Sequence, residues 1–274
     1  MTHFGQHFLI NQSVLKKIAG ALNMQKNDVV IEIGAGHGEL TGELVDWFIG
    51  ENSEQKLILI EKDSILAEHL KEKYEEEKKV EIINGDALKV LPKLINQLTN
   101  QPIGYKLTGN IPYYITGKLL RLISEFEHKP SRSVFTLQKE VAERLAEQPP
   151  KMSRLAASVQ FWAKPEIIGY VSRNDFKPKP EVDSAIVTLT RIHADYTRID
   201  ADKYYRAVRI LFQQPRKTIL NNLVAGTKTE KETLVKKLSE IGIDPTSRPQ
   251  NLLIKDIIKI ADIVEAQIGE KEEY

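Results

Sequence analysis

Cysteine is absent from all 274 residues. Its absence excludes disulfides, thiolate-bound zinc and a cysteine nucleophile, and fits a reducing compartment, so a cytoplasmic location is expected. Excess charge is also missing: 39 Lys and Arg face 38 Asp and Glu, for a formal net charge of +1. A nucleic-acid partner therefore needs basic residues gathered locally, not in surplus overall. No apolar run approaches the roughly 18 residues of a membrane span, and the N-terminus lacks a secretory signal pattern. No membrane contact and no metal are expected. What is present is ordinary for a soluble globular chain: 41% hydrophobic and 28% charged residues,. The length allows one large or two unequal domains.

The first two thirds of the chain alternates strand and helix patterns. Val29–Ile33 reads as a buried strand entering Gly34-Ala35-Gly36-His37-Gly38 and then a helix. Strand, glycine loop and helix open a doubly wound nucleotide-binding sheet. The G-x-G-x-G spacing is not the G-x-G-x-x-G of dinucleotide dehydrogenases, so the loop suits a smaller, uncharged or zwitterionic group better than a pyrophosphate. Lys56–Ile60 is a second strand, ending in Glu61-Lys62-Asp63. An acid here, about 20 residues past the loop, can accept both ribose hydroxyls of an adenosine. The third strand, Val80–Ile83, ends at Asn84-Gly85-Asp86-Ala87. Asp86 either accepts from an adenine amine or caps the helix starting at Ala87. Further strands are read at 105–107, 133–137, 167–171 and 185–189, making a mostly parallel sheet. After about Arg191 only helical spacing remains. The division expected is an α/β domain at 1–192 and a smaller helical domain at 193–274, ending in an acidic tail, 270–274, that frays.

The chain is organised around Gly109-Asn110-Ile111-Pro112-Tyr113-Tyr114. Pro112 cannot join a sheet ladder and bars Ile111 from helical geometry, so a turn is forced. The turn is expected to offer the Asn110 amide oxygen, an unbonded Pro112 carbonyl and the Tyr113 ring side by side. A flat ring with an exocyclic amine, such as adenine, fits that set. An ordinary strand-to-helix turn would use the same residues. Phe176 heads a loop stiffened by Pro178 and Pro180, and is either a core plug or a second aromatic face for that ring. Basic residues collect at Lys203, Arg206, Arg209, Arg216 and Lys217, and again at Lys177 and Lys179. Such clusters suit phosphates.

Taken together, Gly5-Gln6-His7-Phe8-Leu9, Ile31-Glu32-Ile33-Gly34-Ala35-Gly36, Ile60-Glu61-Lys62-Asp63, Gly85-Asp86-Ala87, Gly109-Asn110-Ile111-Pro112-Tyr113 and Phe176-Lys177-Pro178-Lys179-Pro180 resemble the ribosomal RNA adenine N6,N6-dimethyltransferases. The helical part, with Phe212-Gln213-Gln214-Pro215-Arg216-Lys217-Thr218 and Ile241-Gly242-Ile243-Asp244-Pro245 through Arg248, resembles the small-subunit (KsgA type) branch and not the macrolide-resistance branch that methylates 23S rRNA. The resemblance implies a Rossmann-like seven-stranded methyltransferase sheet with an all-helical C-terminal domain. It implies S-adenosylmethionine as methyl donor, yielding S-adenosylhomocysteine. The donor would be held by Gln6, His7 and Leu9, by Gly34, Gly36 and Gly38, by Glu61 and Lys62, and by Asp86, Ala87 and Asn110. Asn110, Pro112, Tyr113 and Phe176 would act on the adenine. Arg209, Arg216, Lys217, Lys177, Lys179 and Arg248 would contact RNA. The implied partner is 16S rRNA in the immature small ribosomal subunit, met by a monomer and methylated on two adjacent adenosines of the 3′-terminal hairpin loop. Two positions depart from the pattern: His7 stands where many bacterial members have Asn, and Pro215 where an Arg usually precedes Arg-Lys-Thr.

Overall fold

A computed structural model of the chain describes residues 6–48, 55–98, 104–192 and 200–272. Gly5 lies outside these residues, as do Glu273 and Tyr274 of the acidic tail. The chain forms two compact units, one of residues 1–143 with 164–191, the other of 144–163 with 192–274.

The first unit opens with β1 (Phe8–Leu9) and α1 (Gln12–Ala21). Asn11 caps α1 by accepting from the Ser13 and Val14 N–H groups. Leu15, Ile18 and Ala19, at helical spacing, are buried,. Strand–helix units follow: β2 (Val29–Ile33) and α2 (Glu39–Val45), β3 (Lys56–Glu61) and α3 (Ser64–Lys73), β4 (Val80–Asn84) and α4 (Ala87–Leu98). Next come β5 (Tyr105–Asn110) and α5 (Thr116–Glu125), then β6 (Arg132–Gln138) and α6 (Lys139–Ala146). After α7 (Arg154–Gln160) the chain forms β7 (Ala163–Val171), β8 (Phe176–Lys177) and β9 (Ser184–Arg191).

Seven strands make one sheet in the order β4-β3-β2-β5-β6-β9-β7. Strands β4 through β6 of that order run parallel, and β9 pairs antiparallel with β6. The α/β architecture and the seven strands match the sequence reading. Because β2 lies between β3 and β5, the chain leaves it in opposite directions on the two sides. The crevice at the carboxyl ends of these strands is where an open α/β sheet binds ligands. Gly109 permits the close fit there: an added Cβ would sit 2.3 Å from the Ile33 carbonyl oxygen, and φ is +153°. No other residue lets β5 finish against the end of β2 at that distance.

The second unit is built on α8 (Ala201–Leu211), α9 (Ile219–Thr227), α10 (Lys231–Glu240) and α11 (Ile254–Glu272). The boundary read at 192/193 is corrected by α7, which lies earlier in sequence. Met152, Ala156, Ala157 and Phe161 are buried in one core with Tyr204, Leu211 and Ile257. Phe161 stacks on Tyr204 at 3.9 Å between ring centroids, and the Tyr204 hydroxyl donates to the Ala157 carbonyl at 2.9 Å. Apolar burial and a satisfied buried hydroxyl thus tie 144–163 to the helices. The tail stays helical through Glu272, further than expected.

Candidate active site

The carboxyl ends of β2, β3, β4 and β5 surround an open cleft of about 830 Å³, counting the solvent space at its mouth. Gln6, His7, Gly34, Gly36, Glu61 and Lys62 line it, with Asp86, Ala87, Asn110, Pro112 and Tyr113. Eleven residues expected at the site from sequence thus converge, although they span positions 6 to 113.

Glu61 ends β3 and is 2% exposed. One carboxylate oxygen accepts from the Gly36 N–H at 2.9 Å and the other from the Asp63 N–H at 2.8 Å. A carboxylate offers about four lone pairs. Two remain on a buried group at the cleft wall, the number a vicinal ribose diol requires. The bond to Gly36 also fixes the glycine loop, whose φ of +61° at Gly36 suits glycine, and whose added Cβ would meet the Phe8 ring at 2.9 Å. Of the two roles left open for Asp86 by sequence, the helix cap is formed. Its Oδ1 accepts from the Leu88 N–H at the start of α4, and its Oδ2 binds Lys62 Nζ at 3.0 Å, while the residue lines the cleft. Partial burial opposes its charge, but the Lys62 and Leu88 hydrogen bonds and the Lys62 and Lys89 charges outweigh it and hold the carboxyl below its usual range,.

Asn110 is set by a residue 103 positions away. Its Nδ2 donates to the His7 carbonyl at 2.6 Å. The nitrogen end of the amide is therefore committed, and the oxygen end has no protein partner among the described residues. His7 is held in turn: its Nδ1–H donates to the Pro178 carbonyl at 2.8 Å. Beside it, β1 pairs antiparallel with β8, Phe8 opposite Lys177 and Leu9 opposite Phe176. Ile10 N–H and Asn11 Nδ2 both reach Asp175. Residues 7–11 are thus a strap bonded to Asn110 on one side and to residues 175–178 on the other.

The Pro112 carbonyl corrects the sequence reading. It is not unbonded: it accepts the Ile115 N–H at 3.0 Å and the Thr116 hydroxyl at 3.4 Å, because the turn runs straight into α5. The second contact is long, so that lone pair remains the weaker-held one. The Tyr113 hydroxyl is paired with Ser184 Oγ at 3.0 Å, which fixes its ring.

Three expected residues lie elsewhere. Phe176 is 4% exposed and packs in the core with Leu9, Leu15 and Ile18, off the cleft lining, so the two-sided aromatic clamp with Tyr113 is not formed. Leu9 is 3% exposed in the same core. Gly38, with φ +84°, turns the chain into α2, and its carbonyl accepts from the Tyr74 hydroxyl and the Gly42 N–H. Each is explained by packing or turn geometry and does not touch the cleft.

Sequence reasoning passed over Glu32. It sits in the wholly buried β2, 2% exposed, and accepts from the Thr41 hydroxyl at 2.7 Å. It lines a second cavity of about 340 Å³ that shares Gly34, Gly36 and Asn110 with the cleft. The available signal was a lone acid inside an otherwise apolar strand. Burial pushes its carboxyl up to about 8, against the Thr41 bond and helped by Glu39 and Glu61,. The folded state therefore holds a proton that the unfolded chain releases in the ordinary carboxylate range. Stability should fall as pH rises from that range to about 8 and level off above it, with a slope of at most about 1.4 kcal/mol per pH unit. Glu32→Gln, which mimics the protonated acid, should remove that slope; urea midpoints at pH 5 and pH 8 that change in parallel in both proteins would contradict it.

In the helical unit, Arg209, Arg216, Lys217 and Arg248 are exposed, as are Lys177 and Lys179 in the first unit. Asn222, also passed over, is 2% exposed and shapes the loop before α9. Its side chain donates to the Gln214 and Thr218 carbonyls and accepts from the Gln214 N–H. Ile219 N–H bonds the Ser247 carbonyl, which brings Arg216 and Lys217 to the same corner as Arg248. Arg206, by contrast, is paired with Glu265. Among the described residues there is no group of acids and histidines that could hold a metal, and no helix long and apolar enough to cross a membrane.

Comparison with known proteins agrees with this geometry. Residues 1–266 match the family described as "Ribosomal RNA adenine dimethylase". A "Ribosomal RNA small subunit methyltransferase A" of Dehalococcoides mccartyi is 37% identical over 253 residues, covering 92% of this chain and 84% of that protein. The protein of the same name from Clostridium botulinum is 35% identical over 266 residues, covering 96% and 93%. A dimethyladenosine transferase crystal structure from Plasmodium falciparum superposes with a TM-score of 0.77 at 27% identity, covering 95% of this chain and 98% of that one. The 23S rRNA methyltransferase ErmE shares the fold, with a TM-score of 0.70 at 24% identity over 94% and 99%. The chain belongs to the ribosomal RNA adenine dimethylase family, the S-adenosylmethionine-dependent methyltransferases of ribosomal RNA.

Proposed function

We propose that this chain, acting as a monomer in the cytoplasm, dimethylates the N6 amines of two adjacent adenosines in the 3′-terminal hairpin loop of 16S rRNA, within an immature small ribosomal subunit. One observation carries the chemistry: the Asn110 amide is tied down by its nitrogen, so its oxygen is the end left for the cleft. S-adenosylmethionine, when bound, supplies an electrophilic methyl group. The residues present fit it: the half-satisfied Glu61 carboxylate suits the ribose hydroxyls, and Asp86, Ala87 and Lys62 suit the adenine end.

An adenine amine is a weak nucleophile because its lone pair is spread into the ring. The Asn110 oxygen accepts one of its hydrogens, and the Pro112 carbonyl accepts the other in place of the Thr116 hydroxyl it holds at 3.4 Å. They draw the nitrogen out of conjugation and face the positive charge that grows on it, so they favour the transition state over the ground state. Tyr113, braced by Ser184, stacks on the base, which must first leave its RNA stack,. The proton leaves afterwards from a cationic amine, so no strong base is required. Arg216, Lys217 and Arg248 bind phosphates from the helical unit, with Arg209 on α8.

The test offers small subunits lacking the modification, and separately large-subunit RNA, with labelled cofactor, followed by mass analysis of the RNA. Two methyl groups on each of two neighbouring small-subunit adenosines are expected; label confined to the large subunit, or none, would refute the reading. Reversing Arg216 and Lys217 to Glu should weaken subunit binding and flatten its log–log salt slope by roughly two, with cofactor affinity unchanged.

A further inference from the structure

We infer that Tyr114 is a stacking platform for the nucleotide next to the target adenosine. This rests on the function proposed above and concerns how that site holds its RNA. Tyr114 lines the cleft yet is 58% exposed. Its ring has no hydrogen-bonding or aromatic partner among the described residues, so packing does not account for a large ring at this position. The backbone beneath it is fixed. Ile111 N–H bonds the Thr136 carbonyl, Ile115 N–H bonds Pro112, and Leu119 N–H bonds Ile115. The turn therefore presents two consecutive tyrosines in set directions: Tyr113 anchored inward on Ser184, Tyr114 open at the mouth.

Lys62, whose ammonium is paired with Asp86 at 3.0 Å, lines the same cleft. An open aromatic face at the mouth of the cleft suits a stacked nucleobase. The cofactor-side groups do not need this ring. Glu61, the acceptor proposed for the ribose, is 2% exposed, whereas Tyr114 is 58% exposed. In the proposed substrate the neighbouring nucleotide is itself a target. One adenosine resting on Tyr114 while the other occupies the Tyr113 site gives the enzyme a hold on both.

The experiment compares Tyr114→Ala and Tyr114→Phe with the unaltered chain, measuring methyl transfer to unmodified small subunits and cofactor affinity by calorimetry. Tyr114→Ala should lower kcat/KM for the subunit about tenfold, the loss of one base stack. Tyr114→Phe should keep it within about twofold, since the ring face is what acts. Cofactor affinity should not move in either. Unchanged kcat/KM in Tyr114→Ala overturns the inference. So does a Phe variant as impaired as Ala, which would assign the hydroxyl, or weakened cofactor binding, which would assign the ring to the cofactor. Activity of the unaltered chain on small subunits is read in the same assay, so failure of the proposed function shows separately and sinks both.

Discussion

Asn110→Ala should lose turnover by about 10²–10³-fold, the scale of removing one preorganised polar group from a reacting centre. The amide has two jobs, one at each end. Its oxygen accepts from the adenine amine, and its nitrogen holds the His7 carbonyl at 2.6 Å. Loss of the second job loosens the strap, so cofactor affinity should also weaken, by no more than about tenfold for one hydrogen bond. Asn110→Asp separates the two. It retains an acceptor but places a carboxylate against the His7 carbonyl, which it repels. The carboxylate should turn away and restore little of the lost rate. Single-turnover transfer with saturating cofactor reads the chemical step alone; a normal rate in Asn110→Ala would end the acceptor mechanism.

Glu61→Ala is expected to weaken cofactor binding by roughly 10²-fold or more, since two hydrogen bonds to a charged acceptor are lost together. Structural damage adds to this. The Gly36 and Asp63 N–H groups would be left without the carboxylate oxygens they now reach at 2.9 and 2.8 Å. Each unpaired buried donor costs about 1–3 kcal/mol, so the melting temperature should fall as well. Glu61→Gln retains one acceptor oxygen and much of the packing. It should recover stability more than affinity, because a neutral amide cannot accept both hydroxyls as a carboxylate does. Calorimetry and thermal melts on the three proteins decide this. Unchanged affinity in Glu61→Ala would remove the residue from the site.

Much of the arrangement was legible in the chain because it is local. The apolar runs at 29–33, 56–60 and 133–137 each became a strand of the sheet within one or two residues. Gly34, Glu61, Asp86 and Asn110 each lie at the end of a strand or within two residues past it, and parallel strands bring such positions to one edge whatever the side chains between them. What failed was context. Phe176 and Leu9 carry the same side chains whether they face a ligand or a core, and only their pairing across β1 and β8 buries them. The Pro112 carbonyl looked free because its partners, Ile115 and Thr116, donate only once the helix begins directly at the turn. Glu32 was hidden inside an apolar run, where burial is the largest of the causes that raise its proton affinity.

The sequence by itself determined the order along the chain of the seven sheet strands, the glycine and acid positions at strand ends, and the forced turn at Pro112, since each follows from periodicity and backbone sterics within a few residues. The tertiary structure alone decided how the strap is fastened, which end of the Asn110 amide is free, and that 144–163 packs with the helical unit. Those depend on groups about a hundred residues apart, or on a shared core, and a hydrogen bond or an apolar contact depends on distance in space and leaves no periodic trace along the chain.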